Sequence, residues 1–445
     1  MINGKRVKIG QFLKEREGRY DPRDPTVKSL KRLNKIDFSG EIHLSDKGSK
    51  TNMIIVKPGD LVISGINVSK GALAVYHGDE SITATIHYSS YIFDHGHINI
   101  EYFKRFVKSQ SFIQILKDQV QGGIKTEIKP KHVLGLEIHL PDIDSQKEVV
   151  AFFSRIENEM SELSDEIGHQ KVFLKKLRQQ ILQDAIEGKL TAGWRKANSK
   201  LINGDNHVSK LLEKIKTEKT KLLREGKIRQ EKDISPVNGD MPFSLPESWV
   251  WCRLGEIIYD PPRNGYSPKA VSHETATKSL KLGATTYGVF DPKECKYVAD
   301  EIPKDSVFWL EPGDILIQRS NSIDYVGVSA TYTGQSKEFI YPDLMMKIRI
   351  VKPLSTKLFQ LFLSTPEVRG YFRSKAKGAQ QTMPKINQGV VNNTLIPVPP
   401  LSEQLVIVER VENLIAMVGE MEKQAAKRKD QSEMLMQSVL REAFS

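Results

Sequence analysis

Two cysteines occur in 445 residues, Cys252 and Cys295. So few exclude a disulfide framework and a cysteine-rich zinc site, and they fit a reducing compartment, the cytoplasm. Long apolar runs are missing as well. The densest patches are as short as Ile54-Ile55-Val56, where a membrane span needs about 18–20 apolar residues. The start, Met1-Ile2-Asn3-Gly4-Lys5-Arg6, lacks the apolar stretch of a signal peptide. A membrane-spanning or secreted protein is therefore not expected. No Gly-x-x-x-x-Gly-Lys-Ser/Thr loop is present, so an ATP-driven motor is not expected in this chain.

What is abundant is positive charge. Lys and Arg number 66 against 55 Asp and Glu, a formal net charge of +11. Such a surplus favours a polyanionic partner, nucleic acid before anionic lipid. At roughly 150 residues per domain the length predicts two or three domains.

The chain repeats itself. Val7-Lys8-Ile9-Gly10-Gln11-Phe12 resembles Cys252-Arg253-Leu254-Gly255-Glu256-Ile257. Lys57-Pro58-Gly59-Asp60-Leu61-Val62-Ile63 resembles Glu311-Pro312-Gly313-Asp314-Ile315-Leu316-Ile317. Gly122 and Thr126 match Gly378 and Thr382, and Leu140-Pro141 with Gln146 matches Val398-Pro399 with Gln404. The separation between matched residues never shrinks along the chain, as a duplicated unit with small insertions requires. Each copy opens with β-like runs around its Pro-Gly-Asp turn: Ile54–Val56 and Leu61–Ile63 in the first, Val307–Leu310 and Ile315–Ile317 in the second.

Each copy ends in a long helical pattern. Ile156, Met160, Leu163, Ile167, Gln170, Leu174, Leu177 and Ile181 are spaced alternately by four and three. Leu414, Val418, Met421, Ala425, Arg428, Ser432, Leu435 and Val439 repeat that spacing. Two such seams in one register predict a pair of helices packed on each other. From Val149 to Glu187 a helix would run roughly 60 Å at 1.5 Å per residue. Between the copies, residues 193–244 form a polar stretch whose charged segment Leu211–Gln230 reads as a solvated linker helix.

Catalytic patterns are weak. Asp260-Pro261-Pro262-Arg263 is similar to the Asp-Pro-Pro-aromatic loop of amino-methyltransferases, but Arg263 stands where an aromatic stacks on the flipped base. Asp118 with Glu127-Ile128-Lys129 imitates a metal-nuclease core, yet the second copy has Met383-Pro384-Lys385 there and no acid. His95-Gly96-His97 would put two imidazoles on one face of a strand, without an evident third ligand. No catalytic residue and no metal ligand set is therefore assigned.

Binding chemistry remains. Polar, Gly-rich loops follow the strands of both copies: Ser64, Asn67, Ser69, Lys70, Lys125 and Thr126 in the first. The second has Asn264, Tyr266 and Lys269, then Gln318, Arg319 and Asn321, then Lys377, Gln380, Gln381 and Thr382. Arg and Lys pair with guanine edges, Asn and Gln with adenine edges, and glycines let backbone amides approach phosphates. Any one of these residues could equally be an ordinary turn residue. As a duplicated set in a basic chain they favour DNA.

With these residues in view the chain resembles a specificity subunit of a type I restriction–modification system, over essentially its whole length. Pro397-Val398-Pro399-Pro400-Leu401-Ser402-Glu403-Gln404, Leu174-Lys175-Lys176-Leu177-Arg178-Gln179-Gln180-Ile181-Leu182, Ala185-Ile186-Glu187-Gly188-Lys189-Leu190-Thr191 and Leu245-Pro246-Glu247-Ser248-Trp249-Val250-Trp251 carry the likeness. The first copy departs from it, with Leu140-Pro141-Asp142-Ile143-Asp144 at its helix start. The resemblance implies an α/β (α+β) fold: two duplicated mixed α/β target-recognition domains separated by two long helices in an antiparallel coiled coil. The expected segments are a first recognition domain over 1–142, a helical region over 143–192, a linker over 193–244, a second recognition domain over 245–400 and a closing helix over 401–445. Each domain would read one half of a gapped double-stranded DNA target. Two methyltransferase subunits would supply S-adenosylmethionine chemistry on adenine, and a restriction subunit would add ATP- and Mg-dependent translocation; this chain would hold no cofactor. Two other readings stay open: an enzyme with its own nuclease or methyltransferase site, and a coiled-coil scaffold that binds no DNA.

Overall fold

The computed structural model describes residues 4–37, 40–65, 72–119, 130–230, 234–239, 241–376 and 383–443. The chain divides into two compact units: residues 1–169 with 425–445, and residues 170–424.

Among its described residues unit 1 has the strands β1 Lys5–Lys8, β2 Leu13–Glu15, β3 Arg32–Ile36, β4 Ile42–Ser45, β5 Met53–Val56, β6 Leu61–Ser64, β7 Leu73–Val75, β8 Ile82–Thr85, β9 Tyr88–Phe93 and β10 Glu137–Leu140. They pair as β1-β10, β2-β9-β6-β7 and β4-β3-β8-β5. Unit 2 contains β11 Val250–Arg253, β12 Arg263–Asn264, β13 Ala270–Val271, β14 Lys278–Leu280, β15 Cys295–Val298, β16 Ile315–Gln318, β17 Ser329–Thr331, β18 Phe339–Ile340, β19 Met345–Ile348 and β20 Leu395–Val398. These pair as β11-β20, β12-β19-β16-β17 and β13-β15-β14-β18. Helices and sheets are mixed within each unit, as an α/β (α+β) fold requires. The strands β6 and β16 are buried at every residue, which is why they read as unbroken apolar runs rather than alternating ones.

The duplication extends to single hydrogen bonds. In the turns before β6 and β16, the N–H of Asp60 donates to Lys57 O and that of Asp314 to Glu311 O, both at 3.0 Å. The glycine between takes φ +86° at Gly59 and +90° at Gly313, as the third position of a Pro-Gly turn demands. The Tyr76 hydroxyl donates to Glu80 O and the Tyr332 hydroxyl to Gln335 O. A Cβ on Gly78 or on Gly334 would strike the respective tyrosine ring, so the glycine two residues on is required in both copies. Gln146 donates to Pro141 O and accepts from the Asn99 N–H. Gln404 donates to Pro399 O and accepts from the Ser355 N–H. Asn99 and Ser355 in turn cap the helices Ile100–Val107 and Thr356–Leu363. The matched prolines and glutamines of the sequence are therefore one repeated device that ties the base of each long helix to its domain.

The long helices run Ile143–Ile186 and Leu401–Ala443. The first starts at Asp142, whose carboxylate accepts the Ser145 N–H at 2.8 Å, so an aspartate cap replaces the proline-rich start of the second copy. In unit 2, Arg178 meets Glu422, Arg410 meets Leu190 O and Arg195 meets Glu403. One sequence rises as the other falls, so the pairing is antiparallel. In unit 1, Ser432 meets Met160, and Val439 packs on the cluster that holds Phe153.

Three expectations need correction. Leu177, Met421 and Leu435 are 43%, 47% and 59% exposed, so they leave the expected seam. Arg178 and Glu422 occupy it instead, and the local spacing becomes Gln170, Leu174, Arg178, Ile181. A four-four-three step follows an 11-residue repeat, which tracks a straight helix better than a strict heptad. Second, the charged segment is no solvated linker. It forms the helix Val208–Arg224, and Val208, Leu211, Leu212 and Ile215 enter the core of unit 2. Third, Val307–Leu310 is not a strand. Pro303 O accepts the Ser306 N–H and the Trp309 indole N–H, and the chain turns there. Among the described residues no helix is long and apolar enough to cross a membrane.

Candidate nucleic-acid interface

In unit 2 two of the sequence-selected loops converge on one turn, Tyr341-Pro342-Asp343-Leu344. The first loop leaves β12 at Asn264. The Gly265 N–H donates to Met345 O and the Tyr266 N–H to Tyr341 O. A Cβ on Gly265 would lie 2.0 Å from Tyr341 O, so only glycine permits this approach. The Ser267 hydroxyl donates to Asp343 Oδ1 at 2.5 Å. The second loop leaves β16 at Gln318. Arg319 and Ser320 both donate their N–H to Leu344 O, and the Arg319 guanidinium donates to Asp343 O at 3.3 Å. A third segment joins them, for Ser320 bridges Lys385 and the Ile386 N–H donates to Arg319 O. The sequence places Lys385 three residues after Thr382, itself outside the described residues.

Side chains on this edge divide by exposure. Tyr266 is exposed, stacks on Phe308 at 5.5 Å and donates its hydroxyl to Asp300 at 2.6 Å. That bond to a carboxylate raises the Tyr266 pKa above the ordinary phenol value, so the hydroxyl stays protonated. Lys269 is exposed, whereas Arg319 and Asn321 are half-buried. The backbone of Asn264 pairs with Met346, and its side-chain oxygen is buried without a partner, as is the hydroxyl of Ser320. Unsatisfied buried polar atoms at an edge are a cost that a ligand's donor can remove.

Gln318 is corrected from reader to scaffold. It is fully buried, and its amide donates to Leu282 O and Thr285 while accepting from Asn321. It thereby orients Asn321, which stands outside it. Ser64, its counterpart at the end of β6, is likewise buried. Asn67, Ser69, Lys70, Lys125 and Thr126 lie outside the described residues, as do Lys377, Gln380, Gln381 and Thr382. Sequence reading missed Ser267, Asp300, Phe308 and Asp343. Asp343 has no motif around it, and only the folded turn brings it to Arg319.

The weak catalytic patterns do not assemble among the described residues. His95-Gly96-His97 is a turn and not a strand, with Asp94 accepting from the Gly96 N–H and bonded to His97. Asp118 accepts from Gln114 on its own helix, and Glu127 lies outside the described residues. Burial works against ionisation of Asp260, yet the Arg229 N–H and guanidinium outweigh it and hold the carboxyl below its usual range. A separate group, Asp37, Glu41 and His43 on the β3–β4 hairpin, brings ligand atoms within 4.8 Å of one another, and His43 Nε2 lies 2.9 Å from Asp37.

Residues 246–428 match the family of the type I restriction modification DNA specificity domain. The second half of the chain thus carries a direct likeness to the type I restriction–modification specificity family. Among its curated relatives it is 26% identical over 324 residues to the EcoEI specificity subunit of Escherichia coli, covering 71% of this chain and 52% of the relative. It is 30% identical over 281 residues to the EcoAI specificity subunit of Escherichia coli, covering 62% and 45%. The chain thus spans about half the length of these type I specificity subunits. The fold is that of the HsdS subunit from Thermoanaerobacter tengcongensis, at TM-score 0.53 and 16% identity over 99% of this chain and 96% of that one. A solved structure on complex assembly and conformational transition of the type I R-M system superposes at TM-score 0.56 and 16% identity, over 99% and 97%.

Proposed function

We propose that this chain is the non-catalytic, DNA-reading subunit of a type I restriction–modification complex. Each recognition domain, over 1–142 and 245–400, reads one half of a gapped target, and the helical segments 143–192 and 401–445 form the spacer. The observation that carries this reading is the duplication itself, repeated down to the turn, tyrosine and glutamine devices, in a basic chain with this family likeness. One chain with two equivalent readers calls for a two-part target. The second domain reads with Tyr266, Lys269, Arg319 and Asn321 along this edge, Gln318 holding Asn321 from behind. Ser64, Asn67, Ser69, Lys70, Lys125, Thr126, Lys377, Gln380, Gln381 and Thr382 are further DNA-contact candidates on sequence grounds. Two methyltransferase subunits bring S-adenosylmethionine and modify adenine, restriction subunits bring ATP and Mg-dependent translocation, and the complex works in the cytoplasm.

Modified-base sequencing of the host genome with and without this gene tests the reading. One gapped motif should lose its methylated adenines on deletion. Unchanged methylation in cells that express the chain would overturn it.

A further inference from the structure

Beside the Tyr266 edge, unit 2 holds a cleft of about 440 Å³ between the Asp260–Arg263 segment, the end of β19 at Lys347–Arg349 and the Lys304–Trp309 loop. A volume of this size suits a small ligand. Seven cationic side chains and four carboxylates line it. Two of the carboxylates are already spent. Asp314 lies 2.8 Å from Arg349 Nε and 3.6 Å from Lys347 Nζ. Asp260 is held by Arg229 and Arg263.

The duplicated unit supplies an internal control. Unit 1 has a cleft of about 250 Å³ at the corresponding place, between Glu15–Arg19, Ile54 and Ser89–Ser90. Its charged lining is two arginines and two glutamates, with no surplus. There the buried turn aspartate, Asp60, needs one cation, Arg16 at 2.6 Å, and the Ser90 hydroxyl at 2.8 Å. In unit 2 Lys347 stands where Ser90 stands, although Arg349 already neutralises the aspartate. Lys347 also donates to Val307 O at 3.0 Å and to Trp309 O at 2.8 Å, so it anchors the Lys304–Trp309 loop while bringing a second cation beside Asp314. Burial also pushes the Lys347 ammonium pKa down, with Asp314 pulling it back up; an anion in the cleft would favour its charged form.

Two other cations of the lining are free of such ties among the described residues. Lys304 and Lys337 are exposed, and neither is ion-paired with a described residue. Lys337 is also the one non-glycine among the described residues with a positive φ, +58°. Glycine or asparagine would sit there with less strain, yet the position carries a lysine aimed at a basic cleft. Strain kept at a charged rim points to use.

We propose that this cleft of unit 2 is a phosphate site, taking a phosphate group carried either by the backbone of bound DNA or by a free polyphosphate. Among the described residues unit 1 shows no equivalent. The backbone source rests on the DNA-reading function proposed above; the free source does not. A backbone phosphate held here would position the duplex beside the Tyr266 edge without adding base readout.

The full chain is compared with its K304Q/K337N variant, thermal melting confirming an unchanged fold. DNA affinity is followed against salt, and inorganic pyrophosphate binding by calorimetry. With a backbone source, the variant loses about tenfold in affinity for target and non-target DNA alike, and the slope of log affinity against log salt falls by about 1.8, or roughly two contacts. With a free source, pyrophosphate affinity falls by a similar factor and the DNA slope does not move. Unchanged pyrophosphate affinity together with an unchanged slope, in a chain that binds DNA, overturns the site while leaving the DNA-reading function intact. If the wild-type chain binds no DNA, that function fails, and the pyrophosphate measurement alone decides the cleft.

Discussion

The two units share their Pro-Gly-Asp turn, their tyrosine–glycine pair and their glutamine tie, yet they differ at the root of the long helix. In unit 2 the carboxylate of Glu403 is fully buried and accepts from Thr191, Arg195 and the indole of Trp249. In unit 1 the corresponding residue is Ser145, which stays near the surface and, among the described residues, has its side chain bonded to Asp142. The second sheets differ too. The parallel pairs β3–β8 and β14–β18 correspond, but unit 1 adds β5 beside β8, whereas unit 2 adds β13 beside β15. The repeated devices are those that build the backbone of the domain. The differences lie in what fills or faces it, where a change of charge or edge does not alter the path of the chain.

The largest expected effect separates the two helix roots. Glu403→Ala leaves Arg195 and the Trp249 N–H unpaired inside unit 2 and should cost about 3–5 kcal/mol. Ser145→Ala removes one exposed partner and should cost under about 1 kcal/mol. All four tryptophans, Trp194, Trp249, Trp251 and Trp309, lie in unit 2, so urea unfolding followed by tryptophan fluorescence reads the Glu403→Ala loss, and hydrogen exchange of unit 1 amides in urea reads the Ser145→Ala loss. Equal losses would dissolve the contrast.

Next come the turn aspartates. Asp60→Ala and Asp314→Ala should each destabilise their own unit by about 2–3 kcal/mol, because a buried carboxylate is bound by charge-assisted hydrogen bonds in both. Hydrogen exchange that resolves the two units checks this, and protection lost in both units from either variant would break the picture of two self-contained copies. A smaller effect is expected at the reading edge. Tyr266→Ala should weaken target binding by about 1–2 kcal/mol and relax discrimination in one half-site only. Competition with targets mutated in one half or the other measures it; relaxation in both halves would sink the modular account.

The smallest effect concerns the seam pair. The Arg178 hydrogen bond holds the Glu422 carboxyl below the usual glutamate value of 4.5. The stabilisation is present above that unfolded value and is lost as pH falls through the lower folded one. Glu422 is 41% exposed, so Glu422→Gln should cost under about 1 kcal/mol at neutral pH and nothing in strong acid. Denaturation midpoints at both pH values test the sign.

The residues of the chain by themselves determined the duplication, the long helices and the central strands. Those features come from apolar periodicity and from turn chemistry, in which Pro-Gly-Asp dictates its own geometry wherever it stands. Tertiary structure alone decided the seam. A four-three pattern admits Leu177 and Met421, but the packed pair prefers Arg178 and Glu422 because their long stems and paired charges fit a straighter crossing. It also turned Val307–Leu310 from an apparent strand into a turn, since the Trp309 indole N–H needs a carbonyl and Pro303 offers one. Gln318 carried the chemistry of a base reader and proved to be a buried brace, and a charged segment that looked solvated hid an apolar face. Asp343 meets Arg319, and Lys347 replaces Ser90, only once distant strands lie side by side. Charge and residue type are local properties, whereas exposure and partnership belong to the fold.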